Sequence, residues 1–108
     1  MNSFTTIGKI AHDAVVMEAA NSHVCNFMIH SETGIGKSQK AMSIDCAIWG
    51  SRATQLFMML TRGRQVLVMG EIFLKEFKKK DGTHASILHL VVDRIEIMPQ
   101  HNSELETE

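Results

Sequence analysis

The 108-residue sequence predicts an all-β fold, a small barrel of five strands with one helix between strands three and four. Three features indicate it: apolar and polar residues alternate over several segments, helical spacing replaces the alternation once, and an Asp-Gly pair separates the last two strand-like segments. Apolar residues make up 44% of the chain and charged residues 21%, which are ordinary values for a folded domain. We therefore expect a single globular domain rather than a disordered chain.

The first three strands follow from the alternation pattern. The first covers Phe4–Ile10, and after a break at 12–13 the segment 14–17 could continue it. Residues 24–30 form the second strand, and residues 41–49 form the third. In the third strand Trp49 lies on the face opposite the apolar stripe, which consists of Met42, Ile44, Cys46 and Ile48.

The helix follows directly. From Ser51 the apolar residues Ala53, Leu56, Phe57 and Leu60 are spaced as on one face of a helix of about three turns. Ser51 is the expected N-cap, and Gly63 is the expected stop. Strand four then covers 64–79, Asp-Gly at 81–82 makes a hairpin turn, and strand five covers 87–98. Three strands, a helix and two strands is the order of the OB-fold, in which the helix would plug one end of the barrel.

Several function classes are disfavoured by composition. The formal net charge is −1, so basic surface must come from uneven distribution. No signal-peptide layout and no apolar run of about 18 residues is found, and neither a membrane span nor export is expected. Two cysteines, Cys25 and Cys46, are expected to be buried reduced thiols, which agrees with a cytoplasmic location.

The segment 31–38, SETGIGKS, resembles a phosphate-binding loop at Gly36-Lys37-Ser38 but has Ser31 where that motif requires Gly. The following residues predict a strand, whereas a phosphate loop should open a helix. The six histidines show no metal-ligand spacing, and no catalytic triad can be argued. We expect no enzyme activity, no metal and no cofactor.

A stronger pattern lies on the fourth strand, where Phe73, Lys75, Phe77 and Lys79 share one face. Exposed bases stack on aromatic rings and phosphates bind lysines, so this pattern is typical of single-stranded nucleic-acid binding. For Phe77 the neighbouring charges favour a binding role over burial. For Phe73 and Trp49 packing and base stacking remain equal alternatives.

Four stretches resemble the bacterial single-stranded DNA-binding proteins: NFMIHSE (26–32), IDCAIWG (44–50), LTRGRQVLVMGE (60–71) and KDG (80–82). The resemblance implies that Trp49 and Phe77 stack on bases and that the chain forms a homotetramer. The chain departs from the family by lacking stacking aromatics near Gly34 and at Ser43. The resemblance also implies a long linker before an acidic, apolar tip that recruits partner proteins, and the acidic segment 103–108 is expected to depart from that pattern.

The sequence thus predicts an OB-fold domain over 1–99 and a short acidic tail over 100–108. The predicted function is sequence-tolerant single-stranded DNA binding in replication, recombination or repair, by a nucleoid-associated dimer or tetramer that could contact replication or recombination proteins. Expected base-stacking residues are Trp49, Phe73 and Phe77. Expected phosphate contacts are Lys37, Lys40, Arg52, Lys75, Lys78, Lys79 and Lys80. The alternative is a protein-interaction module of the primosomal type, with the same fold and weak DNA binding.

Overall fold

The computed structural model describes residues 1–19, 21–33 and 40–99. Lys37 and the predicted acidic tail lie outside these residues. The described strands are β1 (Phe4–Ile10), β2 (Val15–Ala19), β3 (Ser22–Thr33), β4 (Lys40–Trp49), β5 (Gln65–Lys78) and β6 (His84–Ile97). Helix α1 (Ser51–Leu56) follows β4 and continues as a 3-10 turn, Phe57–Met59.

The strands form one sheet in the order β1-β5-β6-β4-β3-β2, and an additional pairing of β1 with β3 closes it into a ring. All neighbouring pairs are antiparallel except β4 and β6. This closed ring confirms the predicted all-β barrel. The difference is that the expected continuation of the first strand is a separate strand, β2, which pairs with β3 through a turn at Asn21.

The core fills the barrel with the side chains that the alternation pattern assigned to one face. Ile44, Cys46 and Ile48 of β4 are fully buried, as are Val66 and Val68 of β5. Burial of such side chains contributes about 1.5–3 kcal/mol each and is the main stabilising term of the fold.

The helical segment packs its predicted stripe on the barrel. Ala53 and Leu60 are fully buried, and Leu56 and Phe57 pack against the core. The expected cap and length were wrong: Gly50 is the N-cap, with no side-chain cap, and the α-helix ends at Leu56. The chain then tightens into the 3-10 turn, where the Leu60 N–H donates to the Phe57 carbonyl at 3.1 Å and directs Leu60 into the barrel.

A β-bulge marks the middle of the long β5–β6 hairpin. Met69 pairs with Arg94 and Gly70 with Val92, so Asp93 is the extra residue on β6. A β-carbon built on Gly70 would overlap the Val91 carbonyl oxygen and lie 2.9 Å from the carbonyl carbon. Only glycine therefore fits the close approach of these two backbones.

Beyond the bulge the hairpin continues as an arm made of residues 71–91, with its turn at Gly82 (φ 91°). The side-chain amide of Asn2 joins β5 at the base of the arm. Asn2 Nδ2 donates to the Ile72 carbonyl at 2.9 Å, and the Ile72 N–H donates to Asn2 Oδ1 at 2.9 Å. Asn2 thus makes the two hydrogen bonds that a further strand residue would make.

Both cysteines are buried free thiols, as expected. Burial raises the pKa of the Cys25 thiol, and burial together with the neighbouring Asp45 carboxylate raises the pKa of Cys46 from 9.0 to about 12. The Cys46 thiol ionises at lower pH in the unfolded chain than in the folded protein. Its contribution to the free energy of unfolding is therefore complete below pH 9 and is lost as the pH rises from about 9 to 12.

We therefore expect native protein at pH 8 to react very slowly with a thiol reagent such as dithionitrobenzoate, whereas denatured protein reacts at once at both cysteines. Colour release over time measures it, and a Cys25→Ser variant assigns the remaining signal to Cys46. Rapid reaction of the folded protein at Cys46 would contradict the complete burial of that side chain.

Candidate nucleic-acid interface

The outer face of four neighbouring strands carries the predicted site. Across the sheet Met28 of β3 lies opposite Asp45 of β4, Asp45 opposite His89 of β6, and His89 opposite Phe73 of β5. Directly opposite residues share one face, and residues two apart on a strand share it too. We call this line of four side chains the central row.

Trp49, Lys75 and Phe77 lie on the same face as the central row, because each is separated from a row residue on its own strand by an even number of positions. Trp49 lies four residues along β4 in one direction, and Phe77 four residues along β5 in the other. At 3.4 Å per residue each ring lies about 14 Å from the row. The aromatic side chains therefore form one track that spans about 27 Å along the strand direction, with Phe73 midway in that direction and Trp49 offset sideways by two strands.

The exposed fraction of each ring shows whether it is packed in the core or open to contact with a ligand. The relative exposure is 46% for Trp49, 48% for Phe73 and 44% for Phe77, whereas core side chains such as Ile44 are at 0%. Exposed aromatic rings on a strand face are open for contact with planar groups. Val24 of β3 lies between Trp49 and Met17 of β2, and Met17 is a further exposed apolar side chain on this face.

Unlike the aromatic rings, the lysines of the arm do not all lie on one face. Lys75 stands between Phe73 and Phe77 on the aromatic face, while Lys78, at an odd spacing, points to the other side of the arm. Lys79 and Lys80 follow β5 in the turn. Hydrogen bonds from the Thr83 hydroxyl and amide lower the pKa of Asp81 in the same turn, so its carboxylate is ionised at neutral pH beside these lysines.

Two other predicted phosphate contacts lie off this face. Lys40 begins β4 on the side of Ile44, opposite to Trp49, and is exposed. The Arg52 guanidinium donates to the backbone carbonyls of Asp93, at 2.8 Å, and Val92, at 3.2 Å. Arg52 thus fastens the helix to the β6 bulge, and a phosphate contact through its other donors stays a prediction.

The described parts of the segment 31–38 agree with a strand-to-strand connection. Ser31 is buried in β3, where its hydroxyl lies 2.7 Å from the Thr6 hydroxyl, and β4 rather than a helix begins at Lys40. The Gly36-Lys37-Ser38 motif itself lies outside the described residues.

Sequence reasoning missed the polar pair in the central row. His89 Nδ1 lies 3.0 Å from Asp45 Oδ2, and the His89 ring is 5.0 Å from the Phe73 ring at an interplanar angle of 42°. The outward positions of these residues could be deduced from the alternation, but their contact depends on the strand register. Within the described ranges no three His, Cys, Asp or Glu side chains converge as a metal site would require. The described helices are also too short and polar to cross a membrane.

The sequence is similar to proteins that bind single-stranded DNA. The family model described as "Single-strand binding protein family" matches residues 1–98. A single-stranded DNA-binding protein of Mycobacterium tuberculosis (strain ATCC 25618 / H37Rv) is 27% identical over 101 residues, 86% of this chain and 62% of that protein. One from Staphylococcus epidermidis is 24% identical over 110 residues, 99% of this chain and 83% of the relative.

A solved structure has the same fold. The small single-stranded DNA-binding protein from Streptomyces coelicolor superposes with a TM-score of 0.80 at 15% identity, over 90% of this chain and 94% of that one. This chain spans only 62% of the length of the Mycobacterium tuberculosis relative. With its family model matched from residue 1 to residue 98, the chain belongs to the single-strand binding protein family.

Proposed function

We propose that this protein binds single-stranded DNA, with little sequence preference, through the outer face of β4, β5 and β6. The observation that carries the proposal is the track of three half-exposed rings, Trp49, Phe73 and Phe77, with Lys75 between the last two. Base stacking on aromatic side chains tolerates every base, and lysines bind the phosphates that run alongside. The names of the relatives agree with this assignment.

The proposed function serves DNA replication, recombination or repair on the nucleoid, and a homo-oligomer would carry it. Ile7 is exposed beside Leu67, and Met69 follows two residues later on the same outer face of the barrel. Apolar side chains grouped on an outer face are what a subunit contact requires. This patch supports a dimer or tetramer, and it lies on β1 and on the barrel end of β5, four to six residues before Phe73.

The direct test is the fluorescence anisotropy of a labelled oligo-dT of about 35 nucleotides, titrated with protein at two salt concentrations beside a duplex of equal length. We expect tight binding to the single strand, weak binding to the duplex and loss of affinity with salt. Trp49 is the sole tryptophan, so quenching of its fluorescence by unlabelled oligo-dT reports base contact at that ring. Absence of binding at micromolar protein would overturn the proposal and favour the protein-interaction alternative.

Truncation of the outermost ring should weaken this binding. Phe77→Ala removes one stacking platform and is expected to reduce affinity by about 1–3 kcal/mol, which is roughly 5- to 150-fold. The same titration measures it. Met58→Ala is the matched control, because Met58 is a large apolar side chain with 76% exposure on the 3-10 turn. Equal affinities of Phe77→Ala and wild type would remove Phe77 from the site.

A further inference from the structure

The central row places a carboxylate on a surface proposed to bind a polyanion. The Asp45 side chain is 28% exposed, and it lies on β4, the strand that carries Trp49, with β6 between it and Phe73 of β5. A negative charge at this position opposes phosphate binding, so the side chain needs a local partner. The partner is His89, whose Nδ1 is 3.0 Å from Asp45 Oδ2.

The hydrogen bond fixes the imidazole. His89 Nδ1 donates to the carboxylate, which determines both the position of the ring proton and the rotation of the ring. His89 is 9% exposed, so the surrounding side chains restrict the motion of its ring. The second nitrogen, Nε2, keeps the remaining hydrogen-bonding capacity of the ring.

The fixed imidazole in turn contacts Phe73. The two ring centroids are 5.0 Å apart at 42°, a tilted arrangement within the range that aromatic pairs prefer. Phe73 is 48% exposed on a strand whose side chains beyond the barrel have few neighbours, and β6 provides its direct cross-strand neighbour. An aromatic ring held in place before binding loses less freedom when a base stacks on it.

We propose that Asp45 and His89 are positioning residues that hold Phe73 ready for base stacking, an inference that rests on the proposed DNA-binding function. Asp45 acts through His89, and His89 acts through its ring contact with Phe73. Neither residue has to touch the DNA for this effect. The charged groups nearest the row on the same face, Glu71 and Lys75, lie on β5 two residues to either side of Phe73.

The test compares two neutral replacements of the same carboxylate. Asp45→Asn keeps an oxygen that can accept the Nδ1–H bond, whereas Asp45→Ala removes it, and both remove the negative charge. We expect oligo-dT affinity of Asp45→Ala to be about three- to tenfold below that of Asp45→Asn, the range that an aromatic pair contact supports. Charge removal alone would raise both affinities equally.

The two replacements are then repeated with Phe73→Ala, which completes a double-mutant cycle. If Asp45 acts through Phe73, the difference between the alanine and asparagine variants disappears in this background. A difference that persists would overturn the proposal, because it would show a general structural role for Asp45. Equal affinities of the two single variants would overturn it as well. Thermal melting checks that each variant is folded. If Asp45→Ala unfolds, the test compares Asp45→Asn with wild type. A loss of oligo-dT affinity greater than threefold for Asp45→Asn would overturn the role of the side-chain oxygen as an acceptor for His89 Nδ1–H.

Met58→Ala is the control here too, since Met58 is exposed on the 3-10 turn and does not belong to the central row. It should leave affinity unchanged. Wild-type protein and Phe77→Ala are titrated in the same series. Failure of wild type to bind oligo-dT overturns the proposed function, whereas normal wild-type binding with no Asp45 or Phe73 effect overturns this inference alone.

Discussion

Gly70→Ala should lower the free energy of unfolding by about 3 kcal/mol or more, at the upper end of overpacking effects. The added methyl group would overlap the Val91 carbonyl, and it would also lie 3.1 Å from the Asp93 backbone nitrogen. These are backbone atoms of a strand held on its other side by β4, so they cannot turn aside as a flexible side chain would. Urea unfolding followed by circular dichroism measures the loss.

Gly82→Ala provides the comparison within the same hairpin. Its β-carbon would meet nothing within 4 Å, and only the positive φ of 91° opposes it. The expected loss is about 1–2 kcal/mol. A Gly70→Ala variant as stable as wild type, or no less stable than Gly82→Ala, would show that the two strands can separate at the bulge without loss.

Replacing Lys75, Lys78, Lys79 and Lys80 together by glutamine should reduce oligo-dT affinity by about 100-fold or more at low salt. Each phosphate contact on a single strand contributes about 0.7 to the slope of log K against log salt, so the slope should fall by about 3. Lys75 lies on the face of Phe77, Lys78 on the other side of the arm, and Lys79 and Lys80 in its turn, so we expect a DNA strand to contact all four only if it wraps around the arm.

Lys9→Gln combined with Arg62→Gln is the control for bulk charge. Both side chains are exposed on the barrel, away from the arm. Per charge removed, this variant should change the slope of log K against log salt by less than half as much as the variant of the four arm lysines. Anisotropy titrations at four salt concentrations give the slopes. Equal slope changes per charge in the two variants would mean that the arm has no special part in phosphate binding.

Most of the fold could be predicted from the sequence because it depends on local patterns. The alternation in residues 41–49 assigned the buried side of β4 correctly, the helical spacing identified Ala53 and Leu60 as core residues, and Asp-Gly located the hairpin. The aromatic face of β5 followed from the same alternation. Its role in DNA binding, like that of each predicted phosphate contact, stays a prediction.

What the sequence could not provide depends on which strands meet and in which register. The contact of Asp45 with His89 requires the parallel pairing of β4 with β6, and no local pattern specifies that pairing. The bulge at Asp93 changes the alternation on β6, and Arg52 is engaged only because the bulge presents two carbonyls to it. The uncapped helix start at Gly50 likewise reflects packing on the barrel, which overrides the propensity of Ser51.

The hydrogen bonds of the Asn2 amide also bear on edge-to-edge pairing between copies of this chain. β1 pairs with β5 only as far as Gly70, so in the described part of the chain the outer edge of the arm begins at Glu71. An exposed strand edge is a template for edge-to-edge aggregation. Asn2 occupies the first hydrogen-bonding site of that edge at Ile72, and Lys75 and Lys78 place charge along the rest. The cations that suit a DNA backbone therefore also oppose edge-to-edge pairing of the arms of two copies.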